Sequence, residues 1–134
     1  MSAPTGRLRE MLDADPYAAH LGVRLTGDQR GAVAVEMEIA DHHLNFLGVI
    51  HGGAVFSLAD VAFSLASNAA GDRAVAIDTH LVLTSGARLG DLLTAVAEET
   101  TRGRTLGTYR IEVTRPDGRV VGLFTGTVHI TSAS

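Results

Sequence analysis

Asp60 lies in the run GGAVFSLADVAF, from 52 to 63, where nearly every neighbour is apolar. Burying a charged carboxylate in such a place costs on the order of several kcal/mol even after relaxation. Something should repay that cost: the plain reading is that Asp60 caps a neighbour or pairs with an arginine in the core, and the other is that it belongs to a functional site. The run is opened by His51, Gly52 and Gly53. The first-turn N–H groups of a helix lack intrahelical partners and carry the positive end of its dipole, which makes them donors for a developing oxyanion. Two glycines let a ligand approach that backbone closely, although Gly-Gly also serves as a plain tight turn. Asn45, in the loop before them, carries an amide able to orient water or a carbonyl, or simply to form the turn. Together these bring a buried carboxylate, a candidate oxyanion site and an orienting amide into one short stretch of sequence.

Other polar residues carry weaker signals. His42, His43 and His51 are close in sequence, but there is no cysteine and no His-Glu-x-x-His run, so no metal site is expected. His51 is read as fixing the loop, and His42 and His43 as solvated. Arg102 and Arg104 flank Gly103 at a strand turn, where the functional reading is an anchor for the phosphates of a nucleotide-like carrier and the plain one a solvated turn.

The elements that must position these groups follow from pattern. Residues 7 to 13 read as a short helix, and Asp15-Pro16 starts another, with Asp as N-cap and Pro in the first turn. Residues 22 to 28 and 32 to 40 alternate as strands joined near Arg30-Gly31. The stretch from Gly52 to about Ala70 has no proline and favours helix. It places Ser57, Asp60, Ser64, Ser67 and Asn68 at spacings of three and four, on one face. The rest of its circumference is apolar, so the helix is expected to be buried nearly all round, with Gly71 as its stop. Strands are expected at 74–84, 92–101, 105–115 and 119–130, the last pair joined by the hairpin signal Pro116-Asp117-Gly118. The order β-β-α-β-β-β-β implies an α+β layout, one long helix filling the concave face of a curved antiparallel sheet.

Composition narrows the class. With 134 residues the chain suggests one domain, 1–134, with 1–20 as a short N-terminal helical segment. Fifteen acidic residues against 11 basic ones disfavour a nucleic-acid partner. The N-terminus has no apolar core of a signal peptide, and the apolar stretch at 54–66 is too short and too polar to span a bilayer. No cysteine is present, which fits a reducing, cytoplasmic setting.

The segment NFLGVIHGGAVFSLADVAFSLASN, 45 to 68, resembles the hotdog-fold thioesterases of the phenylacetate-degradation type. Members carry Asn, then Gly, then His-Gly-Gly, then an Asp eight residues beyond the first glycine, often followed by Ser-Asn. Here these are Asn45, Gly48, His51-Gly52-Gly53, Asp60 and Ser67-Asn68. The match continues through Gly90-Asp91, RGRTLGTYRIEV at 102–113 and LFTGTVHI at 123–130. The resemblance implies a long helix wrapped by a curved antiparallel sheet, paired into dimers and usually tetramers. It implies hydrolysis of acyl-CoA thioesters, commonly aryl-acetyl ones, without a cofactor. The Asp role, general base or nucleophile, carries to Asp60; the carbonyl-polarising N–H role to Gly52 and Gly53, beside His51; the Asn role to Asn45. Contacts to substrate and CoA are expected from Arg102, Gly103, Arg104, Ser67 and Asn68. Members often have a proline before the glycine-aspartate turn; here the segment is LVLTSGARLGD, which weakens any inference about the acyl group.

Two rival readings remain. A hydroxyacyl-CoA dehydratase on the same fold would need a His with an acidic residue, and His51 with Asp60 is the only pair, at a spacing unsuited to one subunit. A non-catalytic acyl-CoA-binding sensor would carry a DNA-binding module, and no basic segment suggests one. The spacing also bears on assembly. Gly52 and Asp60 are about 12 Å apart along a helix, at about 1.5 Å per residue, and roughly 80° apart around it. One thioester carbon must lie about 3 Å from both the attacking group and the oxyanion donors. A homodimer or dimer of dimers with antiparallel helices is therefore expected to supply Asp60 from one chain and Asn45 with Gly52 from the other.

Overall fold

Among the described residues two short α-helices, one long α-helix and six strands follow in the order expected, with one 3-10 turn at Asp41–His43. The computed structural model describes residues 5–29 and 32–131. Helix α1 spans Thr5–Asp13 and α2 Pro16–Leu21. Asp15 caps α2, accepting the Ala18 N–H at 3.0 Å, and Gly22 ends it with φ +81°, a left-handed conformation that suits glycine. Strands β1 (Arg24–Gln29) and β2 (Ala32–Glu38) form an antiparallel pair. The turn expected near Arg30-Gly31 lies outside the described residues. Helix α3 (Gly52–Asn68) is followed by β3 (Arg73–Leu83), β4 (Leu92–Arg102), β5 (Leu106–Thr114) and β6 (Val120–Thr131).

The strands form one antiparallel sheet in the order β1-β2-β4-β5-β6-β3. Helix α3 carries the chain across the sheet, from β2 near one edge to β3 at the other. It packs against β2 through β6, so the sheet wraps around it in the hotdog arrangement. Alternation along the strands sends Leu93, Ala95 and Ala97 of β4, Tyr109, Ile111 and Val113 of β5, and Phe124 and Val128 of β6 into the core. They meet Val55, Leu58, Ala59, Ala62 and Phe63 of α3. Phe63 packs against Phe124 and Tyr109 at centroid distances of 5.4 and 5.8 Å. A Cβ at Gly126 would lie 2.6 Å from the Phe63 ring, so β6 needs glycine there to let the helix close on the sheet.

The end of α3 differs in detail from expectation. The helix closes at Asn68, and the Asn68 side chain is the reason. Its Oδ1 accepts the Ala74 N–H at 2.9 Å and its Nδ2 donates to the Ala74 carbonyl at 3.1 Å. Arg7 of α1 donates to the Asn68 carbonyl at 2.9 Å, tying α1 to the same point. No helix among the described residues is long and apolar enough to cross a membrane.

Candidate functional site

Asp60 is half-buried on α3 and, among the described residues, makes no hydrogen bond or ion pair. The alternative role, pairing with a core arginine, therefore finds no partner among those residues. Burial pushes the carboxyl above the ordinary Asp range, and the nearby Asp15 carboxylate adds to the shift. Asp60 lines a cavity of about 620 Å³ with Tyr17, His20, His42, His51 and Ser57. Tyr17 on α2 and Ser57, one helical turn before Asp60, are joined hydroxyl to hydroxyl at 2.9 Å. Capping by Asp15 and Gly22 therefore fixes a short helix that lays an aromatic ring against the polar face of α3.

At the start of α3 the two glycine amides are in different states. His51 is the N-cap, and its Nδ1 accepts the Gly53 N–H at 2.8 Å. The bond requires an unprotonated Nδ1. The N–H groups of Ala54 and Val55 both reach the His51 carbonyl, at 2.9 and 3.3 Å. The Gly52 N–H alone in this first turn has no acceptor among the described residues. Gly52 lines a second cavity, of about 330 Å³, with Ile50, Val55, Leu83, Thr84, Ser85 and Gly86. Asp60 and Gly52 thus line separate cavities of one chain.

The loop before α3 is held by its own polar groups. Asn45 Oδ1 accepts the N–H groups of Leu47 and Val49 at 2.9 and 3.3 Å, the turn-forming role. Its Nδ2 has no acceptor among the described residues. His43 corrects the sequence reading: it is 2% exposed, not solvated. Its Nε2–H donates to the Leu21 carbonyl at 2.8 Å and its Nδ1 accepts the Ala40 N–H at 2.9 Å. Burial pushes its pKa down, with His42 and His20 nearby acting the same way against the raising effect of the Leu21 carbonyl. The His51 N–H donates to the His43 carbonyl at 2.8 Å, so His43 links the end of α2 to the start of α3. Among the described residues no three His, Cys, Asp or Glu side chains converge as metal ligands.

The residues expected around the carrier lie at the far end of α3, and most are engaged internally. Arg102 differs from expectation: its guanidinium turns inward, Nη1 donating to the Ser67 carbonyl at 3.0 Å and to the Tyr109 hydroxyl at 2.7 Å. A cation at the C-terminal end of a helix is favoured by the free carbonyls and the dipole, which accounts for the turn. Tyr109 donates onward to Glu99 at 2.9 Å. Ser67 is buried and donates to the Ser64 carbonyl at 3.3 Å, and Asn68 ends the helix as described. Gly103 donates to the Leu106 carbonyl at 2.8 Å in the β4–β5 turn, and Arg104 there is exposed. Tyr17 and the clamp at His43 had no signal in the sequence, since both depend on contacts across long sequence separations.

Comparison with known proteins agrees with the fold. The Thioesterase superfamily profile matches residues 47–122. The Escherichia coli acyl-coenzyme A thioesterase PaaI is 35% identical over 119 residues, covering 89% of this chain and 85% of that protein. The human acyl-coenzyme A thioesterase 13 is 28% identical over 138 residues, covering 97% and 99%. Among solved structures, the E. coli PaaI protein from the phenylacetic acid degradation operon superposes with a TM-score of 0.89 at 33% identity, covering 94% of this chain and 91% of that one. A hypothetical thioesterase from Streptococcus pneumoniae, solved with coenzyme A, gives 0.84 at 26% identity, covering 92% and 96%.

Proposed function

The chain belongs to the thioesterase superfamily and is a thioester hydrolase, and we propose that its substrates are acyl-CoA esters, cleaved to free acid and CoA with Asp60 as general base or nucleophile. The observation that carries this is the state of Asp60: a half-buried carboxylate facing a cavity, with no partner among the described residues and a raised pKa. A base is most useful when its pKa lies near the working pH, and burial moves Asp60 in that direction. As base, Asp60 takes a proton from water while the water oxygen attacks the thioester carbonyl. As nucleophile, it forms an acyl anhydride that water then opens. In either route the carbonyl oxygen becomes an oxyanion, the CoA thiolate leaves and is protonated, and the acid is released.

The oxyanion donor in this reading is the Gly52 N–H, the amide left free by the His51 cap. Gly53 shapes the turn and donates to the cap, and the free Nδ2 of Asn45 orients the water or the carbonyl. Because Asp60 and Gly52 line different cavities, the complete site joins two chains. Strand β3 supports such pairing: it is an 11-residue edge strand with Val75, Ile77, Val82 and Leu83 exposed. A long apolar edge is a template for another strand, and a second copy is the partner a two-fold site needs. A homodimer, or a dimer of dimers, is the proposed assembly, and the cytoplasm the proposed setting. The proposed acyl class is aryl-acetyl or related, on the likeness to the E. coli protein of the phenylacetic acid operon.

The deciding experiment is a thiol-release assay over a panel of aryl and alkyl acyl-CoA esters. Release from aryl-acetyl-CoA with a kcat/KM above that for alkyl esters is expected. Release from alkyl esters alone overturns the acyl class, and no release from any CoA ester overturns the substrate reading.

A further inference from the structure

The loop that carries Asn45 displays two large apolar side chains to solvent. Phe46 is 95% exposed, and Leu47 beside it is exposed as well. They are the corner residues of a four-residue turn, closed by the Gly48 N–H on the Asn45 carbonyl at 3.0 Å. Asn at the first position and Gly at the fourth suit such a turn, but its corners are usually polar residues, glycine or proline. The loop keeps its shape without either side chain. The Asn45 N–H donates to the Val49 carbonyl at 2.8 Å, Asn45 Oδ1 binds the N–H groups of Leu47 and Val49, and a bridge joins Leu44 to Ile50. Phe46 and Leu47 are therefore held outward by a fixed backbone and add nothing to the core of their own chain.

What they meet follows from Asn45. In the shared-site reading, the Asn45 amide and the Gly52 N–H of one chain act on a thioester that Asp60 of the other chain serves. Consecutive Cα atoms are about 3.8 Å apart, so a turn that brings the Asn45 side chain to the thioester brings Phe46 to the groups attached to it. The cavity around Asp60 suits an aromatic ring. Tyr17, Leu21, Leu44 and Phe56 give it an apolar wall, yet Tyr17 is exposed and Asp60 only half-buried, so one chain leaves it open to water. Closing such a site expels water and strengthens the electrostatic interactions inside it. Aromatic side chains are frequent anchors between chains because each buries a large apolar area.

We propose that Phe46, with Leu47 beside it, crosses the two-fold axis and closes the Asp60 cavity of a second copy of the chain, where its ring forms a wall against the acyl group. This closure rests on the shared-site reading above and extends it: the chain that supplies the oxyanion donor also sets the acyl preference of its partner. An acyl group large enough to meet the ring gains apolar contact from it, whereas a short one ends before reaching it.

The test compares Phe46→Ala with wild type on the shortest and the bulkiest acyl-CoA ester that wild type cleaves. For the bulky ester kcat/KM is expected to fall roughly tenfold or more, the usual loss for apolar contact in a pocket, and for the short ester it should barely move. An equal defect on both esters, or none on either, overturns the closure. Subunit mixing then shows whose cavity the ring serves. When Gly52→Pro and Asp60→Asn proteins are refolded together, the intact site of a mixed dimer joins Asp60 of the first chain to Gly52 of the second. Phe46→Ala added to the Asp60→Asn chain should lower release from the bulky ester; added to the Gly52→Pro chain it should change nothing. The reverse result puts the ring over its own chain's cavity and overturns the closure. The chain has no tryptophan, so Phe46→Trp supplies a single indole whose emission should be that of a buried ring in the assembled protein. Emission of an indole in water overturns the closure. Mixed dimers that release no thiol with Phe46 intact defeat the shared-site reading itself, and the closure with it.

Discussion

Nδ1 of His51 accepts the Gly53 N–H at 2.8 Å, and that one bond decides which glycine amide can serve an oxyanion. Gly53 is consumed by the cap, and Gly52, at the first helical position, keeps its N–H. Proline fits that position of a helix, because no intrahelical bond is lost there, and it removes the donor. His51 has φ −71° and ψ 135°, the extended conformation a residue before proline prefers. A Cβ at position 52 meets only the end of the Leu83 side chain, at 3.0 Å. Gly52→Pro is therefore expected to fold and to lower kcat by about 10²–10³, the usual loss for one oxyanion donor. Circular dichroism checks the fold and thiol release the rate; an active Gly52→Pro would remove the amide from the mechanism.

Asp60→Asn keeps the shape of the side chain and removes its basicity. A loss in kcat of at least ~10²-fold is expected from general-base effects. The same change is expected to raise thermal stability at pH 7. Burial raises the folded-state pKa of Asp60, so above that value the native state holds a carboxylate the unfolded chain solvates better. The wild-type penalty is full above the folded pKa and fades as pH falls toward the unfolded one. The melting temperatures of wild type and Asp60→Asn should accordingly converge in acid. An Asp60→Asn protein that melts below wild type at pH 7 would show that the carboxylate has a stabilising partner.

Protonation of Asp60 should set the acid limb of the pH profile of kcat/KM, above the range of an ordinary aspartate. Burial is the main cause and the Asp15 carboxylate the second. Asn caps helices as well as Asp does, so Asp15→Asn removes the charge and leaves α2 capped. The acid limb should then move to lower pH, with little change in the plateau. A limb that stays in place would mean that Asp15 does not act on the base.

Arg102→Ala should be a stability mutation. It strips the Ser67 carbonyl and the Tyr109 hydroxyl of a shared donor at the closed end of the helix. A loss on the order of 1–3 kcal/mol is expected, read as a fall in Tm, with KM for a CoA ester little changed. A normal Tm with a raised KM would return Arg102 to the carrier site.

The fold was legible because each local signal agreed with the next. Asp15-Pro16 started α2, the proline-free run from Gly52 made α3, and alternating apolar residues gave strands close to the observed bounds. The identities of Asp60, Gly52 and His51 also stood out, since a lone carboxylate and a His-Gly-Gly turn are unusual in an apolar run. Partners across the fold did not stand out. Nothing local to His43 says that Leu21 accepts its Nε2–H, and nothing local to Arg102 says that it turns to the end of α3. Which glycine amide is free depends on the rotamer of His51, and a sequence carries no rotamers. Nor does anything local show that Arg115 donates to the Gly86 carbonyl and Arg119 to Ser85 Oγ, 29 and 34 residues away, contacts that the β5–β6 hairpin brings about.

The central claim is that Asp60 and Gly52 act on one thioester from two different chains, and subunit mixing tests it directly. Gly52→Pro and Asp60→Asn proteins, each nearly inactive, are unfolded together and refolded at equal concentration. In a two-fold dimer a mixed pair carries one site with both defects and one with neither. Random pairing makes about half of the dimers mixed, so about a quarter of all sites should regain wild-type turnover. Mass spectrometry counts the mixed dimers. If mixed dimers form and thiol release stays at the mean of the two parents, Asp60 and Gly52 do not complement across the interface, and the shared site is contradicted.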